Sequence, residues 1–252
     1  MPNRIRLADD DVLPLMRVTV SDLAPSVMVV GDPARAAKAA ALLDGARKVG
    51  ENREYVTYSG TFHGTPISVA SHGVGAPGAA VVFEELCRGG VRRIVRAGTA
   101  GGIQSEVLDG SLVVATGAVR DDGVTATLVP LAYPAITDPA LTMSLVREAA
   151  AQGATVHTGV VLTSACFYPL DVLANDQPMW QRAGVVAIEM ELAALLVIAA
   201  QHGVAAGGIL AIDGNPMVKQ DTEMGDYQPF REIVVEATDR ALRAALRALS
   251  VE

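Results

Sequence analysis

The sequence predicts an α/β fold, a single domain in which helices flank a central, mixed and twisted β-sheet. Short apolar runs alternate with longer segments of helical periodicity along the 252 residues, as in mixed α/β proteins. Hydrophobic residues make up 50% of the chain and aromatic residues only 4%, so the core consists of small aliphatic side chains, which suit buried parallel strands. No linker-like composition interrupts residues 1–252, which we interpret as one domain with an N-terminal extension over residues 1–21.

The predicted strands are short apolar or β-branched runs bounded by turn residues. They cover residues 26–30, 56–62, 67–71, 93–97, 111–115, 155–162, 185–188 and 207–212. The predicted helices have apolar residues spaced three or four positions apart. They cover residues 33–43, 76–88, 139–151, 170–182, 191–202 and 227–249. In open α/β sheets ligands bind outside the carboxyl ends of the strands, so the residues that follow each strand are the candidates for a site.

Charge and composition argue against several classes of partner. The chain carries 20 Lys and Arg against 28 Asp and Glu, a net charge of −8, which disfavours a nucleic acid or an anionic membrane. Its two cysteines are too few for a disulfide framework and favour a reducing, cytoplasmic compartment. The first residues contain no apolar signal segment, and the longest apolar run, residues 192–200, is far shorter than the roughly 20 residues of a membrane span.

Residues 73–78, GVGAPG, match the dinucleotide-binding pattern G-x-G-x-x-G between a strand and a helix. That pattern requires an acidic residue about 20 positions further on, to hold the ribose diol. The next strand ends instead in Arg96-Ala97-Gly98-Thr99, and the unit follows two earlier strands rather than opening the fold. We therefore interpret the segment as a tight turn that a ligand or another backbone approaches closely.

The segment GDPAR, residues 31–35, follows the first predicted strand. Gly31 allows the turn, and Pro33 is favourable at a helix start. Arg35 would then lie in the first helical turn, where a cation opposes the helix dipole unless an anion binds between them. The alternative is a surface arginine on an ordinary turn.

Arg96 lies inside an otherwise apolar predicted strand, where a charge is costly to bury without a partner. Glycines and Thr99 follow directly and offer backbone N–H groups and a hydroxyl. An arginine beside such a loop is suited to binding phosphate. The alternative is a buried ion pair with an internal carboxylate.

Glu189 and Glu191 lie just before the very apolar run of residues 192–200, at the start of the helix predicted over residues 191–202. Their side chains would face the same side if residues 188–191 are extended. A carboxylate in so apolar a setting can accept the two hydroxyls of a sugar diol. The alternative is a glutamate at a helix N-terminus, where the dipole favours it.

Asp213 ends the last predicted strand and precedes Gly214-Asn215-Pro216. One interpretation is a general acid whose pKa is raised by partial burial. The other is ordinary Asp-Gly turn chemistry.

Taken in order, these segments resemble the nucleoside phosphorylase-I family, the hexameric purine nucleoside and uridine phosphorylases. The resemblance runs from about Asp22 to Leu249. The matching pieces are GDPAR, NREYVTYSGTFHG, SHGVG, RIVRAGTAGG, FYP, VAIEMELAA and a strand that ends in Asp213. Each piece alone is weak, but their common order makes the match specific.

The resemblance implies a phosphate site and a nucleoside pocket. The phosphate site would consist of Gly31, Arg35, Arg96 and Thr99, with Arg53 reaching in from a neighbouring subunit. The residues implied at the ribose and base are Val74, Phe167, Tyr168, Ile188, Glu189, Met190 and Glu191.

Roles within that pocket also follow from the resemblance. Glu191 would bind the ribose diol, Met190 would pack against the sugar, and Phe167 with Tyr168 would form an aromatic wall for the base. Asp213 and Arg96 would be the catalytic residues, Asp213 protonating the purine N7 as the base leaves. Phosphate would attack C1′ from the opposite side and stabilise an oxocarbenium-like ribose.

The implied enzyme takes phosphate as co-substrate and needs no cofactor and no metal, and the four histidines show no ligand spacing. The implied assembly is a homo-hexamer, a trimer of dimers.

The chain departs from the family pattern at two places that affect the substrate. Residues 14–17, PLMR, lack the histidine expected to reach a neighbour's ribose 5′-hydroxyl, which favours an apolar 5′ group. The bacterial purine enzymes carry an arginine about a dozen residues after the aspartate. In those enzymes the arginine helps proton donation. Here residues 223–226 read EMGD, and Lys219 or Arg231 could take the place of that arginine.

The segment after FYP distinguishes the two branches of the family. Residues 170–172, LDV, replace the Gln and Arg with which the uridine enzymes read a pyrimidine, and those enzymes lack the aspartate matched by Asp213. Both points favour a purine nucleoside. The remaining alternatives are uridine phosphorolysis, a nucleosidase of the same fold that uses water, and a nucleoside-binding protein without catalysis.

Overall fold

The structure is a computed structural model that describes residues 7–168, 170, 172, 175–218 and 227–251. The strands are β1 (Ser26–Val30), β2 (Asp44–Asn52), β3 (Tyr55–Phe62), β4 (Thr65–Ser71), β5 (Arg93–Gly102), β6 (Leu112–Asp121), β7 (Ala135–Ile136), β8 (Val156–Ser164), β9 (Ala187–Glu189) and β10 (Ala205–Gly214). The helices are α1 (Pro33–Ala40), α2 (Ala76–Arg88), α3 (Thr125–Leu128), α4 (Pro139–Ala151), α5 (Gln177–Arg182), α6 (Leu192–His202) and α7 (Glu232–Ser250).

All these strands belong to one mixed sheet. Strand β1 lies between β4 and β5, parallel to both, and β3 and β2 extend the β4 side as an antiparallel edge. On the other side β5 pairs with β10 as well as with β9, and the series β10, β6, β8, β9 returns to β5. That half of the sheet therefore closes into a ring of strands.

Strand β5 takes part in both halves because its two ends pair differently. Its first residues pair with β1 and β10 in parallel, whereas Gly101 and Gly102 pair antiparallel with β9. A Cβ on Gly102 would overlap the carbonyl oxygen of Val107. Gly102 thus leaves room for the loop after β5 to fold back against this strand.

Helices cover both faces of the sheet, and each face has its own apolar core. Helices α2 and α6 pack together on one face, and α1, α4 and α7 contribute to the core on the other. The segment before β1 joins the first core, since Leu13, Met16 and Val18 are fully buried. The Glu85 carboxylate accepts the backbone N–H of Leu15 and of Met16, each at 2.8 Å.

The α/β prediction with a flanked mixed sheet is confirmed, and three elements keep their predicted bounds: β1, α2 and α4. The helix predicted over 170–182 is wrong in its first half, because α5 begins at Gln177 with Pro178 in its first turn, where proline is tolerated. Strand β2 was not predicted, since its mostly exposed, polar sequence DGARKVGEN lacks an apolar face. Helix α7 begins five residues later than expected, which leaves Tyr227 and Phe230 ahead of it.

In the part of the chain that the structure describes, no helix combines the length and the apolar character of a membrane span.

Candidate active site

The predicted site residues converge at the carboxyl ends of three adjacent parallel strands. Arg35 follows β1 in the first turn of α1, Arg96 and Thr99 lie in β5, and Asp213 lies near the end of β10. The register places Gly208 beside Arg96, and Ala211 beside Thr99. This is the edge at which open α/β sheets bind ligands.

Arg96 is the centre of a buried charge cluster. Its side chain is 4% exposed, and Nη2 contacts Glu191 Oε2 closely and Glu189 Oε2 at 3.4 Å. Although burial opposes it, the two carboxylate charges raise the pKa of Arg96. Its Nε and Nη1 are buried as well, and neither finds a hydrogen-bond partner among the described residues. Arg96 is thus both ion-paired, as one sequence interpretation held, and still provided with free donors.

Gly98 makes room for this arginine. A Cβ on Gly98 would overlap Arg96 Nη1. The glycine of the RAGT segment therefore has a steric role inside the chain, beyond any backbone contact with a ligand.

Glu189 uses its carboxylate to begin helix α6. Its oxygens accept the Thr163 hydroxyl at 2.5 Å and the backbone N–H groups of Glu191 and Leu192 at 2.8 and 2.9 Å. The interpretation as a glutamate at a helix N-terminus describes this contact pattern. Burial raises the pKa of Glu189, and the charge of Arg96 opposes that effect.

Glu191 links Arg96 to the glycine-rich turn over residues 73–78. Its Oε1 accepts the backbone N–H of Gly75 at 2.6 Å while Oε2 faces Arg96. Burial would raise the pKa of Glu191, but the Arg96 charge and the hydrogen bonds from Gly75 and Arg96 act together against it, and the pKa is lowered. Met190, between the two glutamates, is half-buried.

The turn over residues 73–78 is held on two sides. Gly73 and Gly75 have φ of 75° and 88°, which favours glycine, and a Cβ on Gly73 would lie 2.7 Å from Glu54 Cγ of the β2–β3 hairpin. Gly31 accepts the Gly73 N–H at 3.0 Å, so the first loop and this turn are joined. Val74 at the tip is 81% exposed. These contacts match the interpretation as a tight turn.

His72 belongs to this cluster, and the sequence analysis did not select it. It is fully buried, its Nδ1 lies 2.8 Å from Gly73 O, and burial together with the Arg96 charge lowers its pKa to about 4. Since a carbonyl only accepts, the neutral ring carries its proton on Nδ1, and Nε2 is an acceptor without a partner among the described residues. A single histidine in an apolar run offers no signal from which this position could be found.

Arg35 is half-buried beside the same cluster. Burial and the Arg96 charge lower its pKa, while Asp32, Asp213 and Glu191 oppose the shift. The two guanidinium charges therefore repel each other, and the carboxylates compensate this repulsion only in part.

Asp213 is a buried carboxyl, 6% exposed, and its charge interacts with that of Arg35. Burial raises its pKa to about 6, although hydrogen bonds from Tyr227 and Thr99 act in the opposite direction. The Tyr227 hydroxyl donates to Asp213 Oδ2 at 2.8 Å. Arg231 donates to the backbone carbonyl of Asp213 at 3.0 Å and pairs with Asp109, so it does not take the side-chain position expected of it. Lys219, the other substitute considered, lies outside the described residues.

Aromatic rings lie next to Asp213. The Phe167 ring centroid is 4.7 Å from that of Tyr168 and 5.7 Å from that of Tyr227. Phe167 and Tyr168 are 51% and 60% exposed, so the wall is open to solvent on one side. Ile188 is half-buried in β9 and packs near Gly101. Pro169 of the FYP motif and Asp171 of the segment after it lie outside the described residues.

Arg53 is the predicted phosphate ligand that the chain does not bring to Arg96. It is exposed at the tip of the β2–β3 hairpin with φ of 54°, and no ion pair joins it to any described residue. Within residues 7–168 and the other described ranges, no group of three or more His, Cys, Asp or Glu could hold a metal ion.

Comparisons with known proteins find relatives along nearly the whole chain. The chain is 36% identical to a uridine phosphorylase of Treponema pallidum over 92% of this chain and 90% of the relative. It is 32% identical to a guanosine phosphorylase of Halorubrum lacusprofundi, over 94% and 98%. The structure of a purine nucleoside phosphorylase from Toxoplasma gondii, solved with immucillin-H, superposes with a TM-score of 0.90 at 29% identity over 97% of both chains.

The model of the phosphorylase superfamily matches residues 25–250, which is nearly the range of the resemblance found in the sequence. That resemblance is confirmed, and the chain belongs to the phosphorylase superfamily.

Proposed function

We propose that the protein is a purine nucleoside phosphorylase, which transfers the pentosyl group of a purine nucleoside to inorganic phosphate. Nucleoside phosphorolysis is the activity that the family and the named relatives support, since these relatives are uridine, guanosine and purine nucleoside phosphorylases. Phosphate is the co-substrate, and the products are the free base and a pentose 1-phosphate. The choice of a purine is our own inference.

The observation that carries the phosphate step is the pair of buried, unpartnered donors on Arg96. Unpaired buried N–H groups are costly, so a site that keeps them is prepared for a ligand that accepts. Burial and the charge of Arg96 lower the pKa of Arg35. A dianion bound between the two arginines would relieve their repulsion. We assign phosphate to this position, with Thr99 and the Gly31 backbone beside it.

Glu191 is assigned to the ribose. Each of its carboxylate oxygens already accepts one bond, and each has a second lone pair that can accept a hydroxyl of the diol. Contact with Arg96 keeps this carboxylate ionised, which is the state that accepts. Met190 and the exposed Val74 would flank the sugar.

Asp213 is assigned to the base. A carboxyl with a pKa of about 6 carries a proton in a useful fraction of molecules near neutral pH, which suits a general acid. The purine N7 becomes basic as the glycosidic bond breaks, and Phe167 with Tyr168 offers ring surfaces for stacking. A pyrimidine leaving group has no nitrogen equivalent to N7, and for that reason we favour a purine.

The reaction would then proceed by displacement at C1′. Phosphate oxygen approaches from the Arg96 side, the glycosidic electron pair leaves with the base, and the Asp213 proton passes to N7. The dianion stabilises the oxocarbenium-like ribose, and the preorganised arginines hold that dianion in place. The nucleosidase alternative uses water and has no need for Arg35 and Arg96 together.

We also propose a hexamer built as a trimer of dimers, in the cytoplasm, with Arg53 completing a neighbour's phosphate site. Arg53 is exposed on a hairpin whose next residue, Glu54, lies against the Gly73 turn, so it is positioned at the rim of the site. Light scattering after size-exclusion chromatography tests the assembly. A monomer with full activity would contradict the proposed role of Arg53.

The deciding experiment incubates the purified protein with inosine, adenosine, uridine and methylthioadenosine, each with and without phosphate. Release of a purine base only when phosphate is present supports the proposal, and preference for methylthioadenosine supports an apolar 5′ group. Release of uracil would shift the assignment to uridine phosphorolysis. Equal release without phosphate would identify a nucleosidase.

A further inference from the structure

Tyr227 contacts the Asp213 carboxyl directly, although no sequence motif pointed to it. It lies 14 residues after Asp213, and its hydroxyl donates to Oδ2 at 2.8 Å. The family resemblance implied a cationic partner of the acid in this region. The structure offers a phenol at the side chain instead, and Arg231 reaches only the backbone carbonyl.

The Tyr227 ring is fixed at both ends. The ring packs against the Phe167 ring in a tilted arrangement, with a centroid distance of 5.7 Å and an interplanar angle of 58°. Its hydroxyl donates to Asp213. The side chain therefore connects the aromatic wall to the acid. A ring held at two points has few alternative rotamers and can orient its partner.

The charge environment keeps Tyr227 a donor. Burial and the negative charge of Asp213 raise its pKa well above the usual range, so the phenol stays protonated wherever the enzyme would work. The groups that act on Asp213 from its surroundings are Tyr227, the Thr99 hydroxyl and the Arg35 guanidinium. Each favours the ionised carboxylate, and burial opposes all of them.

We propose that Tyr227 is the positioning residue for the acid: it occupies Oδ2, so that the transferable proton resides on Oδ1 and is directed at the leaving base. The inference rests on the proposed function. When the glycosidic bond breaks, its electron pair goes to the base, the proton moves from Oδ1 to the base nitrogen, and phosphate oxygen bonds to C1′. The phenol hydrogen bond then stabilises the carboxylate that remains.

The central test replaces Tyr227 by phenylalanine, which keeps the ring contact with Phe167 and removes the hydroxyl. Loss of a donor to the carboxylate raises the pKa of Asp213, so the high-pH limb of kcat/KM moves upward by about one unit. We expect kcat to fall by about tenfold while KM for the nucleoside changes little, because only orientation of the proton is lost. The matched control is Tyr133→Phe, a half-exposed tyrosine outside the site, which should leave both the profile and kcat unchanged.

If the high-pH limb of kcat/KM and kcat are both unchanged in Tyr227→Phe, the inference is overturned, but the proposal of phosphorolysis is not. A wild-type protein that releases no base would overturn the proposed function instead. In that case an NMR titration of the side-chain carboxyl carbons, in protein labelled with ¹³C-aspartate, still tests whether Tyr227 lowers the pKa of Asp213. The Asp213 signal is the one that is missing from Asp213→Asn. An upward shift of its titration in Tyr227→Phe supports the linkage, and an identical titration overturns it.

The opposite end of the hydrogen bond provides a test that does not depend on the folding of Tyr227→Phe. In Asp213→Asn the carboxylate charge that raises the pKa of Tyr227 is absent. One tyrosine should then ionise at lower pH in an ultraviolet titration than in the wild type. The same tyrosine titration in both proteins would contradict the contact.

Discussion

The site has two halves that are built differently. The half around Arg96 is buried, its charges are paired, and strands and helix α6 hold every group. The half around Asp213 consists of half-exposed rings and a tyrosine from the segment ahead of α7. Regular elements therefore hold Arg96, Glu189 and Asp213, whereas the rings that would contact the base come from loops.

This contrast explains why relatives with different names share one fold. Phosphate and pentose are common to uridine, guanosine and purine nucleoside substrates, so the half that we assign to them can be rigid and paired. The base is what differs, and loop residues can change without disturbing the core. The predictions below test whether the two halves behave in these different ways.

The largest effect is expected from Arg96→Met, which keeps the volume and removes the charge. It leaves Glu189 and Glu191 buried without their cation, so we expect a loss of about 3–5 kcal/mol in the free energy of unfolding. Phosphorolysis should fall by roughly 10³-fold or more, since a preorganised donor is lost as well. Urea unfolding and base release measure the two effects, with Arg243→Met on the exposed face of α7 as control. Normal activity would refute the assignment of phosphate to Arg96.

Asp213→Asn should reduce activity by roughly 10²-fold for a purine nucleoside, in the usual range for loss of a general acid. Uridine, if it is cleaved at all, should lose much less, because its base has no N7 to protonate. Initial rates on inosine and uridine provide the comparison, and Asp10→Asn on the exposed N-terminal segment is the control. Equal losses on both substrates would mean that Asp213 does not act through N7.

A smaller effect is expected from Gly98→Ala, because its methyl group would displace Arg96 Nη1 without removing the charge. A displacement of this kind should raise KM for phosphate by about tenfold, less than the loss of the arginine. The control is Gly214→Ala, whose Cβ would meet nothing within 4 Å. Phosphate titrations at fixed nucleoside measure the change. An increase confined to the KM of the nucleoside would place phosphate elsewhere.

The same contrast shows what could be predicted from the sequence. Elements with a strong apolar period, such as β1, α2 and α4, kept their bounds because tertiary packing agrees with their local pattern. Strand β2 was missed because an exposed edge strand has no such pattern. Arg96 stood out because a charge within an apolar run is itself a signal, whereas Glu191 and Asp213 follow such runs and received their roles from the family resemblance.

Other site residues could not be found in this way. His72 and Tyr227 are polar residues that local pattern does not distinguish from ordinary ones, and only the folded chain brings them to Arg96 and Asp213. The sequence could also not decide between an ion pair and an anion site for Arg96. The two are not exclusive, since one nitrogen serves the pair while Nε and Nη1 stay free.

The last effect concerns stability and separates the halves most directly. The folded-state pKa of Asp213, about 6, lies above the ordinary value of 3.8, so the folded chain binds more protons between those values. The stability contributed by the protonated carboxyl is present below pH 4 and is lost as the pH rises through 6, at most about 3 kcal/mol.

Asp213→Asn removes that dependence, so it should be more stable than the wild type at pH 8 and lose this advantage at pH 4. Thermal unfolding at both pH values measures the difference. Arg96→Met should be less stable than the wild type at either pH, because the glutamates lose their partner. If Asp213→Asn were destabilised at pH 8, the carboxylate of Asp213 would be as well paired as those of Glu189 and Glu191. The contrast between the ion-paired carboxylates around Arg96 and the Asp213 carboxylate, which burial disfavours, would then be wrong.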